Sequence, residues 1–206
     1  MKKEYSMIPK SIKENDLYGF SWIDFVTSIP SVLFLVTTYK SNGKPNACLQ
    51  SWATFVEDYC IMASVNKNKH MYKSIKETGD MVLNFPSMEI YPKCVETIKN
   101  NGFDVDEITE SGLTVERSKI INAPLIKECF LNLECKYLWE KENVEGSEHV
   151  VMCVKIINVS MDTEYFDENI KGRYGETGYI YNIHNPTNPE TGKMEDDFLG
   201  ILQKIK

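Results

Sequence analysis

A run of three extended segments joined by short turns constrains the fold more than any other feature of the sequence. Residues 31–39, SVLFLVTTY, are rich in the β-branched and aromatic side chains that favour strands. Asn42 and Gly43 follow, the dipeptide most typical of a tight hairpin. Residues 47–55 and 59–65 then predict two more strands. Because short turns can join only antiparallel neighbours, the run predicts an antiparallel sheet.

Three later segments extend this predicted sheet. Residues 81–85 indicate a short strand that ends at a proline, and residues 149–162 a long one. Residues 131–139, LNLECKYLW, alternate strictly between apolar and polar side chains, which is typical of a strand with one buried face. That alternation predicts one shared face for Leu131, Leu133, Cys135, Tyr137 and Trp139.

Helical patterns accompany the strands. After residue 68, Met71 and Ile75 fall four residues apart on one face, Asn68 suits the N-cap and Gly79 the C-terminal stop. Residues 87–102 contain a second helical pattern, which predicts that Cys94, Val95 and Ile98 share its buried face.

Two further helices are expected, over residues 104–112 and in the tail at 196–205. Residues 173–192 are expected to form an ordered loop, because they are rich in Gly, Pro, Asn and Tyr. The pattern as a whole predicts a mainly β protein with helical additions, built on a small antiparallel barrel. We expect one domain over residues 1–206.

Composition excludes several classes of function. The formal net charge of −7 argues against general nucleic-acid binding, which needs a broad basic surface. The first residues carry lysines with no apolar run behind them, and the longest apolar run, residues 32–36, is too short to cross a bilayer. We therefore expect a soluble cytoplasmic protein without a membrane partner.

Cysteine and histidine spacing gives no sign of a metal. Six cysteines are present without a CxxC pair, which favours a role as small buried hydrophobic residues. The three histidines lie far apart in the sequence, and no zinc-like spacing joins them.

A basic stretch, SVNKNKHMYKSIKETGD at residues 64–80, contrasts with the acidic protein around it. Lys67, Lys69 and His70 gather where a helix is predicted to begin. Basic side chains fit poorly there because helix N-termini already carry partial positive charge. Free N–H groups at the helix start, with Lys69 and His70 beside them, could hold a phosphate. The alternative interpretation is a solvated basic loop.

The strand PNACLQSWATF, residues 45–55, is the second indication of a site. Trp52 lies among small and polar neighbours, and small side chains let a flat ring approach the backbone of a strand. The alternative is an ordinary half-buried strand with one core tryptophan. The chain has no GxSxG, HExxH, Walker or GxGxxG motif, so any redox chemistry would belong to a bound cofactor.

Four segments together resemble the flavin reductase-like family, in particular its flavoredoxin-type branch. They are residues 45–55, 63–87, 110–140 and 149–159, and the most specific parts are SIKETGDMVLNFPS and NAPLIKEC…NLEC. The resemblance covers roughly residues 30–160 and implies an FMN-binding split β-barrel, antiparallel and Greek-key-like, with residues 161–206 as a C-terminal extension. It also implies a homodimer and noncovalent FMN.

The resemblance further implies which residues hold the flavin. The isoalloxazine ring and the ribityl chain would be lined by Gln50, Ser51, Trp52, Ala53 and Thr54. The next strand would approach the flavin with Ser64, Val65 and Asn66. The phosphate would be held by Lys69 and His70, with Asn84 close by. Many relatives have arginine at the position of Lys69 and threonine at that of Met71.

Three functions remain open at this stage. The first is an FMN-dependent oxidoreductase that takes hydride from NADH or NADPH. The second is an electron carrier that serves a redox protein partner without nicotinamide activity of its own. The third is a non-enzymatic flavin-binding module. No side chain is nominated as catalytic, since flavin accepts hydride directly.

Overall fold

The computed structural model describes residues 1–5, 22–165, 173–196 and 198–205. The chain divides into two compact units. One combines residues 1–31 with 181–200, and the other combines residues 32–180 with 201–206. All the predicted site residues belong to the second unit. The expectation of a single domain over residues 1–206 stays a prediction.

Twelve strands and four helices form within the described residues. The helices are α1 (Trp22–Thr27), α2 (His70–Thr78), α3 (Tyr91–Lys99) and α4 (Glu107–Glu110), and a 3₁₀ turn covers Thr163–Tyr165. The strands are β1 (Ser31–Val32), β2 (Phe34–Tyr39), β3 (Pro45–Gln50), β4 (Ala53–Val56), β5 (Tyr59–Asn66), β6 (Asp80–Phe85), β7 (Val115–Arg117), β8 (Pro124–Ile126), β9 (Leu131–Glu142), β10 (His149–Met161), β11 (Ile180–Asn182) and β12 (Leu199–Ile201).

Seven strands make one antiparallel sheet in the order β3-β2-β6-β9-β10-β5-β4. The two edge strands, β3 and β4, are joined by Ser51 and Trp52 alone. In a flat sheet, seven strands would place these edges about 29 Å apart, whereas the three steps from Gln50 to Ala53 span at most about 11 Å. The sheet must therefore curl until its edges meet, which confirms the predicted mainly β, antiparallel barrel. The barrel is split between β3 and β4.

The other strands pair in small sheets. β7 and β8 form an antiparallel pair, and β1, β11 and β12 form a three-stranded sheet. Within the described ranges, no helix is long and apolar enough to cross a membrane.

The interior of the barrel explains why these segments become strands. Alternate residues of β2, β5, β6, β9 and β10 point inward and form one buried cluster, which includes Phe34, Met62, Leu83, Leu133 and Met152. Met71 and Ile75 of α2 join the same cluster, as predicted, and Gly79 ends this helix with a φ of 73°, in the left-handed region. The apolar face of α2 therefore fixes the helix start against the barrel.

Five cysteines are buried, in agreement with the role predicted for them, and Cys48 is half-buried. Burial raises the pKa of the Cys60 and Cys94 thiols to about 12, because a thiolate loses its hydration there. These thiols behave as small apolar side chains.

Several local predictions were wrong. Residues 47–55 are not one strand, because the chain leaves the sheet at Ser51 and Trp52 to cross the split. The tail forms strand β12 rather than a helix, and the predicted loop at 173–192 contains strand β11. Short strands of three residues carry too little periodicity to be recognised in the sequence.

Two predicted faces also differ. In α3 the buried residues are Cys94 and Thr97, while Ile98 is 59% exposed. In β9 the alternation breaks near residue 138, where the register against β10 shifts, and Trp139 is 46% exposed. A β-bulge moves every later side chain to the other face, so the strict alternation of the sequence is not preserved in space.

Glu134 of β9 is fully buried, yet it is well satisfied. Its carboxylate accepts hydrogen bonds from the N–H groups of residues 119, 120 and 121 and from the side chain of Asn158, at 2.7–3.1 Å. Burial alone would raise the pKa of Glu134, but these donors together hold it below its ordinary value. The carboxylate thus fastens the 118–123 loop to the barrel.

We predict that Glu134→Gln lowers the free energy of unfolding at neutral pH by about 1–3 kcal/mol, because one amide oxygen cannot replace two carboxylate oxygens. The folded pKa is depressed, so the stabilisation is complete above the ordinary glutamate pKa of about 4.3 and is lost as pH falls through the lower folded value. Urea unfolding at several pH values measures this. The gap between wild type and variant should narrow in acid, and exposed Glu116→Gln should show no such gap; a gap that is constant with pH would contradict the assignment.

Candidate functional site

The predicted ring-binding segment lies at the split of the barrel. Gln50 ends β3, Ser51 is buried, Trp52 is half-buried and Ala53 begins β4. The carbonyl of Trp52 accepts the N–H of residue 63 at 2.8 Å, which anchors the crossing chain to β5. Thr54 is exposed on β4. The structure therefore brings this segment to one edge of the barrel opening, as a continuous strip of main chain and small side chains.

The end of β5 forms the neighbouring wall. Val65 is completely buried in the barrel core, so only its main chain can face a ligand, while Ser64 and Asn66 are partly exposed. The side-chain oxygen Oδ1 of Asn66 accepts a hydrogen bond from the N–H of Asn68 at 2.8 Å. The side-chain nitrogen Nδ2 of Asn66 lies 3.3 Å from Nε2 of His149. This turn redirects the chain from β5 into α2. His149 was missed by the sequence analysis, because it lies 83 residues away and no motif links the two.

Helix α2 begins without a side-chain cap. Lys69, rather than the predicted Asn68, occupies the N-cap position in an extended conformation, and it makes no capping hydrogen bond. The first turn contains no acidic residue. The N–H groups at the start of a helix lack partners within the helix, and they attract anions. A basic N-cap that is not offset by an acid is the pattern expected where an external anion binds.

The two lysines of the basic stretch differ in their surroundings. Lys67 forms an ion pair with Glu142 at 2.8 Å. Lys69 is exposed and forms no ion pair with any residue in the described ranges. Lys69 is therefore the lysine whose charge is available to a ligand.

His70 follows Lys69 with one ring nitrogen hidden. Its Nδ1 is buried, has no hydrogen-bond partner among the described residues, and lies 3.9 Å from Oε1 of Glu107. The edge of Phe103 packs on the ring, with the centroids 5.8 Å apart. The side chain keeps 27% of its surface exposed, so the ring is held from behind and stays open on its outer side.

Glu107 stands behind His70 in a buried ion pair that the sequence analysis did not identify. Its Oε1 accepts from Lys40 Nζ at 2.8 Å and its Oε2 from the N–H of Ala47 at 3.0 Å, with both charged side chains 1% exposed. Lys40 also donates to the carbonyls of Gly102 and Val105 at 2.6 and 2.9 Å. The sequence indicated only a short helix here, because the partners of Glu107 lie up to 67 residues away.

Gln50 and Cys48 connect the split to the helix start. The Gln50 amide donates to the Cys48 sulfur at 3.1 Å. Burial raises the pKa of the Cys48 thiol; the Gln50 hydrogen bond lowers it, Glu107 raises it and Lys69 lowers it. β3 and the start of α2 share a neighbour, since Glu107 accepts from the N–H of Ala47 in β3 and lies 3.9 Å from His70 Nδ1.

Asn84, which is expected to lie close to the flavin, makes its side-chain hydrogen bonds within the protein. It is fully buried, and its amide donates to the Leu35 carbonyl and the Thr37 hydroxyl, at 3.2 and 2.9 Å. Its oxygen accepts from the N–H of Ile126 and the amide of Asn132, at 3.0 and 2.8 Å. These bonds occupy both ends of the amide, so Asn84 joins β2, β8 and β9 and has no free group for a ligand.

A surface cavity of about 740 Å³ lies elsewhere on the barrel and contains none of the predicted site residues. The Asp80 carboxylate in its wall already accepts from the N–H of Asn122 and from Lys136. We assign this cavity no role in the candidate site.

No group of three or more metal-binding side chains occurs in the part of the chain that the structure describes. The surface cavity of about 740 Å³ is lined by Tyr39, Asp80, Val115 and residues 117–123.

The donor set at the split suits a flat aromatic molecule that carries a phosphate. A half-buried tryptophan and small side chains follow one another along the segment that crosses the split. Glu107 links the edge strand β3 to the uncapped start of α2, where, among the described residues, an exposed lysine without an ion pair and a histidine with a buried, unpartnered Nδ1 stand. A planar cofactor with an anionic tail would match both parts in shape and charge.

Comparison with known proteins gives a family and a distant relative. The family model described as flavin reductase like domain matches residues 26–178. The chain is 28% identical over 141 residues to an uncharacterized protein of Methanothermobacter thermautotrophicus. That match covers 66% of this chain and 65% of the relative, so the chain spans slightly less than two thirds of the relative's length.

Solved structures share the fold at low identity. Flavoredoxin of Desulfovibrio vulgaris is 18% identical with a TM-score of 0.70, and the match covers 100% of this chain and 96% of that protein. Nitrilotriacetate monooxygenase component B from Bacillus cereus is 17% identical with a TM-score of 0.76, covering 100% and 99%. These similarities show a common fold.

We predict that Lys40→Met lowers the free energy of unfolding by about 3–5 kcal/mol, because it leaves the Glu107 carboxylate buried and unpaired. The double variant Lys40→Met/Glu107→Gln should recover part of this loss. Chemical denaturation measures both. Lys67→Ala, which breaks an exposed pair, is the matched control and should cost at most about 1 kcal/mol. Equal losses for the buried and exposed lysines would contradict the assigned role.

Proposed function

Because the chain belongs to the flavin reductase-like family, we propose that this flavoprotein is an oxidoreductase that binds FMN. In this proposal, hydride passes from NADH or NADPH to the flavin and then to an acceptor. The observation that carries it is the start of α2, where Lys69 and His70 stand at an uncapped helix end beside the split of the barrel. When bound, FMN supplies the redox chemistry, since its ring accepts hydride from a nicotinamide.

The chain's own residues would bind and orient the cofactor. Lys69, His70 and the first N–H groups of α2 would hold the phosphate, which explains the basic stretch in an acidic protein. The strip from Gln50 to Thr54 would line the ring and the ribityl chain. Met71 stands where many relatives have threonine, and its side chain is buried in the barrel core and 2% exposed, so that side chain offers no hydrogen bond to a phosphate. The remaining contacts therefore carry more of the affinity.

An electron carrier is the second candidate. The whole chain superposes on a flavoredoxin with a TM-score of 0.70, which supports a carrier that exchanges electrons with a protein partner. In that case nicotinamides would leave the bound flavin oxidised, and a ferredoxin-type donor would reduce it.

We also propose a cytoplasmic location and a homodimer. All six cysteines are free thiols, which suits a reducing compartment. Strand β9 and the turn after it expose Leu138, Trp139 and Val144, which are 44%, 46% and 69% exposed. Apolar surface of this kind is commonly covered by a second subunit.

The first test is cofactor binding followed by reduction. We predict that the purified protein is yellow or becomes so with FMN, at about one flavin per chain, with FAD titrated in parallel. Isothermal titration calorimetry and the visible spectrum measure this. Under anaerobic conditions NADH or NADPH should bleach the bound flavin within the mixing time of a spectrophotometer. A flat calorimetric trace with micromolar FMN would overturn the proposal, and reduction by a ferredoxin-type donor alone would favour the electron carrier.

Lys69→Ala tests the phosphate contact. Charge-assisted hydrogen bonds contribute roughly 1.5–3 kcal/mol, and about 1.4 kcal/mol is tenfold in affinity, so the Kd for FMN should rise at least about tenfold. Riboflavin lacks the phosphate, and its Kd should barely change. Lys67→Ala removes the same charge from a lysine already paired with Glu142, and it should leave both affinities near wild type. Equal weakening for FMN and riboflavin would favour the solvated-loop interpretation.

Light scattering tests the dimer. We predict a mass of about twice the 23.7 kDa of the chain at micromolar concentration. Trp139→Lys should shift the mass toward that of one chain, because it places a charge in the proposed contact. A wild-type protein that stays at the mass of one chain would contradict the homodimer.

A further inference from the structure

Glu107 has unused capacity as an acceptor on the side that faces His70. A carboxylate can accept about four hydrogen bonds, two at each oxygen. The described residues supply one donor to Oε1, from Lys40, and one to Oε2, from Ala47. The hidden Nδ1 of His70 lies 3.9 Å from Oε1 and has no described partner. A small movement of the ring would satisfy both groups, and a buried polar atom without a partner calls for such an explanation.

We infer that Glu107 is a positioning residue for His70, because it determines which ring nitrogen carries the proton. The inference rests on the proposed function, in which His70 contacts the phosphate. A neutral imidazole has one donor nitrogen and one acceptor nitrogen. With Nδ1 turned toward a carboxylate, the proton resides on Nδ1 and Nε2 becomes the acceptor. An acceptor nitrogen cannot bind a phosphate oxygen, so phosphate contact at Nε2 requires a second proton on the ring.

FMN binding is therefore coupled to proton uptake by His70. The charges around the ring determine how readily His70 takes up the second proton. Glu107 and the incoming phosphate favour the second proton. Lys40 and Lys67 oppose it weakly, because each is already paired with a carboxylate, and Lys69 opposes it until the phosphate arrives. Burial raises the pKa of the Cys48 thiol, so it stays uncharged. Phe103, on the remaining side, carries no charge.

Calorimetry at about pH 8 tests the coupling in the wild-type protein, since the phosphate of FMN is then fully ionised. FMN is titrated in buffers of different ionisation enthalpy, which reports the number of protons taken up. We expect uptake that approaches one proton per bound FMN, and none for riboflavin. As the pH is raised, the Kd for FMN should increase about tenfold per pH unit for each proton taken up on binding.

Three variants separate positioning from a structural role. In Glu107→Gln the amide can donate to Nδ1, which lets a neutral ring present Nε2–H to the phosphate, so FMN should bind with little proton uptake. His70→Asn should also show none. Glu110→Gln removes an exposed carboxylate from the same helix, and it should keep the wild-type uptake. Circular dichroism confirms that each variant is folded.

A measurement on the wild-type protein covers the case in which Glu107→Gln does not fold. Imidazole ¹⁵N resonances of the three histidines identify the protonated nitrogen. His70 should carry its proton on Nδ1 in the free protein at about pH 8 and on both nitrogens after FMN is added. A free ring protonated on Nε2, or FMN binding without proton uptake, would overturn the role of Glu107 alone. Absence of binding for FMN and riboflavin alike would overturn the proposed function and this role with it.

Discussion

The two-residue crossing from β3 to β4 is the constraint on which the rest of the structure depends. It forces a seven-stranded sheet to curl until its outermost strands meet, although no ladder of hydrogen bonds joins them. Strands β3 and β4 are therefore edge strands without a strand partner on the side of the split, and the main-chain groups of edge strands are open to other partners. A flat ligand with polar edges can satisfy such groups, so the closure of the barrel and the place of the candidate site have one origin.

Buried charges stabilise the loops around this opening. Glu107 links the end of β2, the start of β3 and the short helix α4, and Glu134 fastens the 118–123 loop. Each carboxylate accepts from several donors, and a buried charge is tolerable only under that condition. The segments behind His70 are thus held in one arrangement, which a phosphate site requires.

The sequence predicts those features that depend on near neighbours. The β-branched and aromatic composition and the turn at Asn42 and Gly43 predicted the first strands, and the spacing of Met71 and Ile75 predicted the helix before Gly79. It could not predict the partners of Glu107 or Asn84, because each depends on residues more than 40 positions away. The bulge before Trp139 was not predicted for a related reason. A bulge is a shift in the pairing between β9 and β10, and the sequence of β9 alone does not contain that pairing.

Local charge distinguishes the helix start from the acidic protein around it. Net charge −7 repels extended polyanions at a distance, but at the start of α2 the opposite sign prevails over a few ångströms. Lys67 is paired with Glu142, and Lys40 with Glu107, so the positive charge at the start of α2 comes from Lys69 and the first N–H groups of the helix. Lys40 and Lys67 therefore contribute ion pairs rather than free positive charge, and Lys69 is the one of these three lysines whose charge faces solvent without a carboxylate partner among the described residues.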